Sequence, residues 1–365
     1  MIAALLRSTG DYRVCVGDRD EASLARLAQA APGVATRRVD ADDPEQLARA
    51  LADCDLVISA LAYYHNPTIA RAALAAGVSY FDLTEDVRTT REVRALAQQA
   101  VPGQVFVPQC GLAPGFVSVI GHDLTRHFDR VETLCMRVGA LPQFPSNDLK
   151  YNLTWSTDGL INEYCNPCEA IVEGKTREVL PLEGLEHFSL DGVRYEAFNT
   201  SGGLGTLCET FGGQVRELNY KTIRYLGHRD LAAFLVQGLR LGERRELLKD
   251  ILEYAIPVTF QDVVIVFCTA SGWRRGQLVQ VSDARKIYSH ELEGESWSAI
   301  QITTAAGICC MVDLFASGVL PSQGFVRQEE VSLEVFLGNH FGRHFASRAS
   351  SRFAFASGSE SEGAP

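Results

Sequence analysis

The segment KTIRYLGH, residues 221–228, gathers three groups suited to chemistry on a small anionic substrate. Arg224 offers a planar fork that grips a carboxylate through two parallel hydrogen bonds, which a lysine ammonium cannot match. His228 has the ring whose ordinary pKa suits proton transfer near neutrality. Lys221 lies three residues before Arg224, and His228 four after it. If the segment is a turn entering a helix, all three point into one cavity. They could equally form a surface cluster of cations.

Other candidates sit where apolar runs end. Tyr63 and Asp82 follow DLVISAL and close SYFDL, and the C-terminal ends of parallel strands are where such sheets bind ligands. Either could hold an ordered water. Asp82 could instead cap the next segment with Thr84 and Glu85. Cys110 and Gly111 follow another such run. Gly111 and Gly115 permit close backbone approach to a ligand, whereas a buried cysteine more often serves packing. In TSGGLGT, Thr200 and Ser201 could hydrogen-bond a substrate; the run lacks the following Lys-Ser/Thr pair of a P-loop. KYNLTWSTDGLINEY adds Tyr151, Trp155 and Glu163. An acid such as Glu163 could receive an amino group, and the aromatic residues could equally be core.

These residues need a frame. Up to about residue 118, short apolar runs alternate with amphipathic helices, a βαβα rhythm that predicts a Rossmann-type, doubly wound parallel sheet. RVCVGD reads as its second strand, with Asp18 placed to accept hydrogen bonds from an adenosine ribose. Arg19 beside it is the residue type that pairs with an extra 2′-phosphate. NAD is the expected cofactor, with NADP possible. Asp40, Ser59, Ala60 and Leu61 end the neighbouring strands and are read as further cofactor contacts.

The G-x-G-x-x-G loop that cradles the pyrophosphate would fall, counting back from Asp18, just before Met1. A start codon placed too late, a degenerate relative and a different fold are the alternatives. The intact remainder favours the first. On this reading the first domain lacks its central strand and its phosphate cradle.

From about residue 130 the pattern changes to longer strands mixed with helices, predicting a second, α+β domain. The expected divisions are 1–118 for dinucleotide binding and 119–300 for substrate and dimerisation. A helix and segment at 301–345 packs back on the first domain or a subunit interface, and 346–365 forms a disordered tail rich in Ser, Ala and Gly. The net charge of −11 argues against nucleic acid. No apolar run approaches the roughly 20 residues that span a membrane. Ten scattered cysteines predict reduced thiols and a cytoplasmic protein. The lone CxxC at 165–168 has no second pair or clustered histidine, so no metal site is expected. The apolar second domain suggests a homodimer or higher homo-oligomer.

Six stretches carry a specific resemblance: DLVISALAYYHNPTIARAALAAGVSYFDLTED, GLAPGF, YNLTWSTDGLINEY, NTSGGLGTL, YKTIRYLGH and GFVRQEEVSLEVFLGNHFG. In this order they resemble the saccharopine dehydrogenase family, most of all its lysine 6-dehydrogenase branch. The resemblance runs from about residue 2 to 345 and fails only at the glycine loop. It implies NAD(P)-linked oxidation at an amine carbon of an amino-acid substrate. In the lysine branch, hydride leaves the ε-carbon, the imine is hydrolysed to a semialdehyde that cyclises, and ammonia departs. Saccharopine or a carboxy-polyamine is the alternative substrate, and a non-catalytic binding protein the alternative of another kind. Such chemistry needs a base, a fixed cation for the carboxylate, a group to activate water and a dry nicotinamide face. Tyr63, Asp82, Lys221 and His228 are the catalytic candidates. Arg224, Thr200, Ser201, Tyr151 and Glu163 are those for substrate.

Overall fold

The computed structural model describes residues 1–292 and 294–346. The tail read as disordered therefore lies, from 347 onward, outside the described residues. The first unit runs α1 (Ile2–Ser8), β1 (Cys15–Asp18), α2 (Glu21–Ala30), β2 (Ala35–Arg38), α3 (Pro44–Leu51), β3 (Leu56–Ser59), α4 (Asn66–Ala76), β4 (Ser79–Asp82), α5 (Val87–Ala97) and β5 (Val105–Val107). Local chemistry sets the helix starts. Asp20, Asp43 and Asp86 each accept backbone N–H bonds as N-caps of α2, α3 and α5. Gly77 ends α4 in the left-handed region, where a side chain is costly.

All pairings in this unit are parallel, as the alternating rhythm predicts. The sheet is in two pieces. β1 pairs with β2, while β3, β4 and β5 form a second set. Among the described residues, β1 and β3 are each paired along one edge only. The strand order of a doubly wound dinucleotide fold puts its first strand between two such edges. Burial follows the same division. Leu56, Val57 and Ile58 of β3 are only half-buried, whereas every residue of β4 and β5 is buried.

The second unit is built on a mixed sheet. It runs α6 (Phe116–Thr125), β6 (Arg130–Pro142), α7 (Thr157–Cys165), β7 (Cys168–Val172), β8 (Lys175–Val179), β9 (Glu186–Leu190), β10 (Val193–Asn199), α8 (Leu207–Thr210), β11 (Glu217–Tyr225), α9 (His228–Ala233), α10 (Arg245–Ala255), β12 (Asp262–Arg274) and β13 (Gln277–Tyr288). The eight-stranded sheet has the order β13-β12-β6-β11-β10-β9, with β7 and β8 branching from β11. A long hairpin forms one edge of it. β12 and β13 meet at a two-residue turn in which Arg275 and Gly276 both have positive φ, the geometry that suits the twist of paired strands.

The chain then returns to the first unit. β14 (His290–Leu292) and β15 (Glu295–Trp297) lead to α11 (Ala299–Ala316), and β16 (Gly324–Phe325) adds in parallel to β5. A capping box of Ser298 and Gln301 starts α11, and the buried Asp262 carboxylate accepts from the Ala299 and Ile300 amides. The helix is apolar on nearly every face. By length and composition α11 could cross a membrane, which corrects the sequence-based expectation that no run comes close. Two-thirds of it is buried in this fold. Ile308, Met311 and Val312 are fully buried beside Phe81 of β4 and Met136 and Val264 of the large sheet. Each such side chain contributes about 1.5–3 kcal/mol. One core thus spans both units and fixes their junction, where the candidate site lies.

Candidate active site between the two units

β11 decides which of the expected cations meet. Strand residues alternate faces. Arg224 therefore shares a face with Tyr220 and Thr222, and Lys221 points to the other. This corrects the expectation that Lys221, Arg224 and His228 converge. The Lys221 ammonium donates to the Gly184 carbonyl at 2.6 Å and to Glu186 Oε2 at 2.7 Å, in a network shared with Arg137. It is committed to the sheet rather than to a cleft.

Arg224 is 2 % exposed. Its Nε donates to Tyr164 Oη at 2.9 Å, and its Nη1 to Thr222 Oγ1 and the Ile223 carbonyl. The guanidinium lies over the rings of Tyr151 and Tyr164, at 4.9 and 5.8 Å from their centroids. Nη2 has no partner among the described residues. Burial alone would lower the pKa of Arg224, but Tyr164, Tyr151 and Glu163 together raise it, so the group stays charged.

His228, also buried, is not a base poised near neutrality. Its Nδ1 lies 2.7 Å from the Leu149 carbonyl and its Nε2 2.8 Å from Tyr164 Oη. A carbonyl only accepts, so Nδ1 carries the proton and Nε2 accepts from the tyrosine. Burial, reinforced by the charge of Arg224, pushes the histidine down to about 3. An apolar cavity of about 30 Å³ lies beside it, lined by Leu149, Leu160, Val236 and Leu252 together with Tyr151 and Tyr164.

Two carboxyl groups complete the site. Glu163 on α7 is buried, and its side-chain oxygens have no hydrogen-bond partner among the described residues. Burial raises it to about 8; Arg224 opposes the shift and Glu85 adds to it. Glu85 follows β4, on the dinucleotide side of the cleft. Burial raises it too, although Asn162 Nδ2 approaches its Oε1 at 3.5 Å. Glu163 feels the charge of both Arg224 and Glu85, so it stands electrostatically between the cation and the second acid.

The glycine-rich run holds these parts together. Gly202 has φ 87°, and a Cβ there would meet the Glu85 carbonyl oxygen at 2.7 Å. A Cβ on Gly203 would strike the Tyr220 ring. Only glycine lets the loop seat on both units. The Ser201 amide and hydroxyl bond the Glu163 and Asn162 carbonyls, so Ser201 anchors α7 rather than facing ligand. Thr200 Oγ1 is buried without a partner among the described residues, beside a small cavity lined by Tyr220 and the loop glycines. Tyr151 accepts from Trp155 Nε1 at 3.2 Å and forms one wall around Arg224.

On the dinucleotide side, Asp82 is a pin. Its Oδ1 accepts from the Thr84 and Gln109 amides, both at 2.9 Å, and its Oδ2 from Tyr80 Oη at 2.8 Å. Burial raises it to about 6. It orders the turn that leads to Glu85 instead of holding a water. Cys110 is buried, its thiol pushed well up by burial and bonded to the Val107 carbonyl. Gly111 bridges Gly115, and a Cβ on Gly307 of α11 would strike the Cys110 and Gly111 carbonyls. These residues serve packing rather than a ligand. Tyr63 is half-buried in a single 3-10 turn, and its hydroxyl has no partner among the described residues. Ser59 donates to Asn66 Oδ1 at 2.7 Å, while Ala60 and Leu61 are exposed at the end of β3.

Asp18, at the C-terminal end of β1, accepts the Asp20 amide through Oδ1 and leaves Oδ2 without a partner among the described residues. It fits a ribose diol. Arg19 beside it is exposed. Asp40 caps its own turn through the Asp42 amide. The sequence contains no G-x-G-x-x-G run.

Residues 1–107 match the family model of the saccharopine dehydrogenase NADP binding domain, and residues 111–339 that of the saccharopine dehydrogenase C-terminal domain. The chain belongs to the saccharopine dehydrogenase family. It carries a nicotinamide dinucleotide-binding domain, and its relatives are oxidoreductases of amine and amino-acid donors. The fold is similar to that of the apo saccharopine dehydrogenase (L-Glu forming) of Saccharomyces cerevisiae, with a TM-score of 0.73 and 16 % identity over 92 % of this chain and 93 % of that one. It is also similar to the homospermidine synthase of Legionella pneumophila in complex with NAD, with a TM-score of 0.63 and 12 % identity over 95 % and 87 %. A stretch of 137 residues is 26 % identical to the mitochondrial alpha-aminoadipic semialdehyde synthase of Bos taurus. It covers 36 % of this chain and 15 % of that relative.

Sequence reasoning missed Glu85, Asn162 and Tyr164 as members of the site. Glu85 had a signal: it lies just past the end of a parallel strand, where Asp82 drew attention first. Tyr164 had none, because its partners Arg224 and His228 lie 60 and 64 residues away.

Proposed function

We propose that this family member oxidises L-lysine at its ε-carbon with a nicotinamide dinucleotide as acceptor. The observation that carries the reading is the charge order Arg224, Glu163, Glu85. L-Lysine presents the complementary order: carboxylate, α-ammonium, ε-ammonium. Arg224 receives the carboxylate through its unpartnered Nη2. Glu163 receives the adjacent α-ammonium, and the incoming cation restores the ionised form that burial had disfavoured. The ε-nitrogen then reaches Glu85, on the dinucleotide side. Saccharopine carries two further carboxylates on that distal nitrogen and would bring them against Glu85.

Glu85, raised by burial, takes a proton from the ε-ammonium and frees the nitrogen lone pair. A bound dinucleotide would supply the hydride acceptor for the adjacent carbon, with Asp18 placed to hold its adenosine ribose. Water then adds to the iminium carbon and ammonia leaves. Lysine, oxidised cofactor and water become the semialdehyde, ammonium, reduced cofactor and the proton that Glu85 accepted and releases, and the semialdehyde closes on its own α-amine. The aromatic walls of Tyr151 and Tyr164 keep water from the carboxylate end.

Absorbance at 340 nm tests the reading, with L-lysine and with saccharopine under NAD and under NADP. A rise with L-lysine is expected. A rise with saccharopine alone would transfer the substrate, and no rise with either would refute the proposal.

A further inference from the structure

We propose that Tyr164 and His228 form a fixed relay that locks the Arg224 guanidinium in the orientation receiving a substrate carboxylate, with His228 a positioning residue that exchanges no proton in the reaction. The assignment rests on the substrate reading above only for what occupies Arg224; the relay itself stands on geometry.

Hydrogen-bond direction is determined at every link. The Leu149 carbonyl can only accept, so His228 donates to it from Nδ1 at 2.7 Å. In the neutral ring that burial favours, Nε2 is then an acceptor, and Tyr164 Oη donates to it at 2.8 Å. That leaves the tyrosine oxygen free to accept, and Arg224 Nε donates at 2.9 Å. No link can reverse without breaking another, because the guanidinium has no acceptor and the carbonyl no donor. The rings are also clamped. Tyr164 packs edge-on against both Phe198 and His228, and Phe198 stacks parallel to the histidine. The relay thus sets the plane of the guanidinium while Thr222 and the Ile223 carbonyl hold Nη1. Nη2 is the one nitrogen left to reach out. A chain of satisfied bonds that ends on the one guanidinium nitrogen without a partner among the described residues is the arrangement expected of a preorganised anion clamp.

Substitutions with defined atom losses separate this role from a merely structural one. In H228Q the side-chain oxygen reaches the place of Nε2 and still accepts from Tyr164. In H228N the acceptor is lost. Y164F removes both bonds of the tyrosine without changing its ring. The paired substrates are L-lysine and 1,5-diaminopentane, the same diamine without the carboxylate. Losing a hydrogen bond to a charged group weakens the carboxylate-bearing ligand by about 10- to 100-fold. H228N and Y164F are expected to raise KM for L-lysine to that extent. kcat and the KM for 1,5-diaminopentane stay near wild type, H228Q restores most of the loss, and the pH profile keeps its shape. Equal losses on both substrates in folded variants would overturn the proposal. So would disappearance of a limb of the pH profile in H228Q.

Nitrogen NMR of the histidine ring gives an arm independent of turnover. The relay requires the neutral Nδ1–H form in the wild-type chain from pH 5 to 9. A cationic ring or the Nε2–H form anywhere in that range overturns it even if no variant folds. If wild-type protein shows the Nδ1–H form but binds no L-lysine by calorimetry, the substrate reading fails and the relay stands.

Discussion

Replacing Glu163 by glutamine tests the buried acid at the centre of the site. Burial raises its carboxyl from 4.5 to about 8, so between those values the folded chain holds a proton that the unfolded chain releases. Stability from this group is therefore lost as pH rises through that window, the reverse of an ion-paired acid. The cost of keeping the group folded is about 1 kcal/mol at pH 5 and about 3 kcal/mol at pH 7, from 1.36 kcal/mol per pH unit of linked titration. Glutamine carries no such cost. The stability of E163Q relative to wild type should rise by about 2–3 kcal/mol between pH 5 and pH 7 and level off above pH 8. Urea unfolding followed by tryptophan fluorescence is the assay, since Trp155, Trp273 and Trp297 all lie beyond the dinucleotide-binding unit. Comparing two proteins across pH cancels the titrating groups that do not interact with Glu163. A difference that stays flat across the range would refute the reasoning.

Three further outcomes follow from the geometry. Gly202→Ala should displace the Glu85 backbone and lower turnover at least about tenfold with a reduced melting temperature, because it adds both a clash and strain at φ 87°. Asp82→Ala strands two amides and the Tyr80 hydroxyl, and should cost about 2–4 kcal/mol in urea unfolding at neutral pH. Lys221→Met should leave kcat/KM for L-lysine within a factor of about three, since the ammonium faces the opposite side of β11, while its loss from the Glu186 network lowers stability by about 1 kcal/mol. An unchanged melting temperature in the first, wild-type stability in the second, or abolished turnover in the third would each count against the placement described here.

Much of this frame was legible in the sequence because its signals are local. Asp20, Asp43 and Asp86 announce their helices, and the apolar runs of β3, β4 and β5 announce strands, of which β4 and β5 are buried throughout. The two-piece parallel sheet also follows from counting residues between Asp18 and the expected glycine loop. The site was only half legible. Arg224 and Glu163 stood out by residue type. The company of Lys221 was misread because KTIRYLGH was taken as a turn, whereas it is mostly strand and its alternation sends residues 221 and 224 to opposite faces. His228 has the residue type of a base, but burial and the charge of Arg224 push it down. The side chains that bury it, Tyr164 and Phe198 among them, are ones no spacing rule links to it. In TSGGLGT the reading fell on Thr200 and Ser201 as substrate contacts, whereas the glycines matter because Glu85 and Tyr220 press on Gly202 and Gly203.

The most direct test of the central claim follows nitrogen. Incubating the protein with oxidised dinucleotide and L-lysine labelled with ¹⁵N at either the ε- or the α-position distinguishes the two ends of the substrate. The charge order Arg224, Glu163, Glu85 predicts that released ammonia carries label only from the ε-position and that the product is the cyclised semialdehyde. Label released from the α-position, or none with reduced cofactor formed from saccharopine instead, would contradict it.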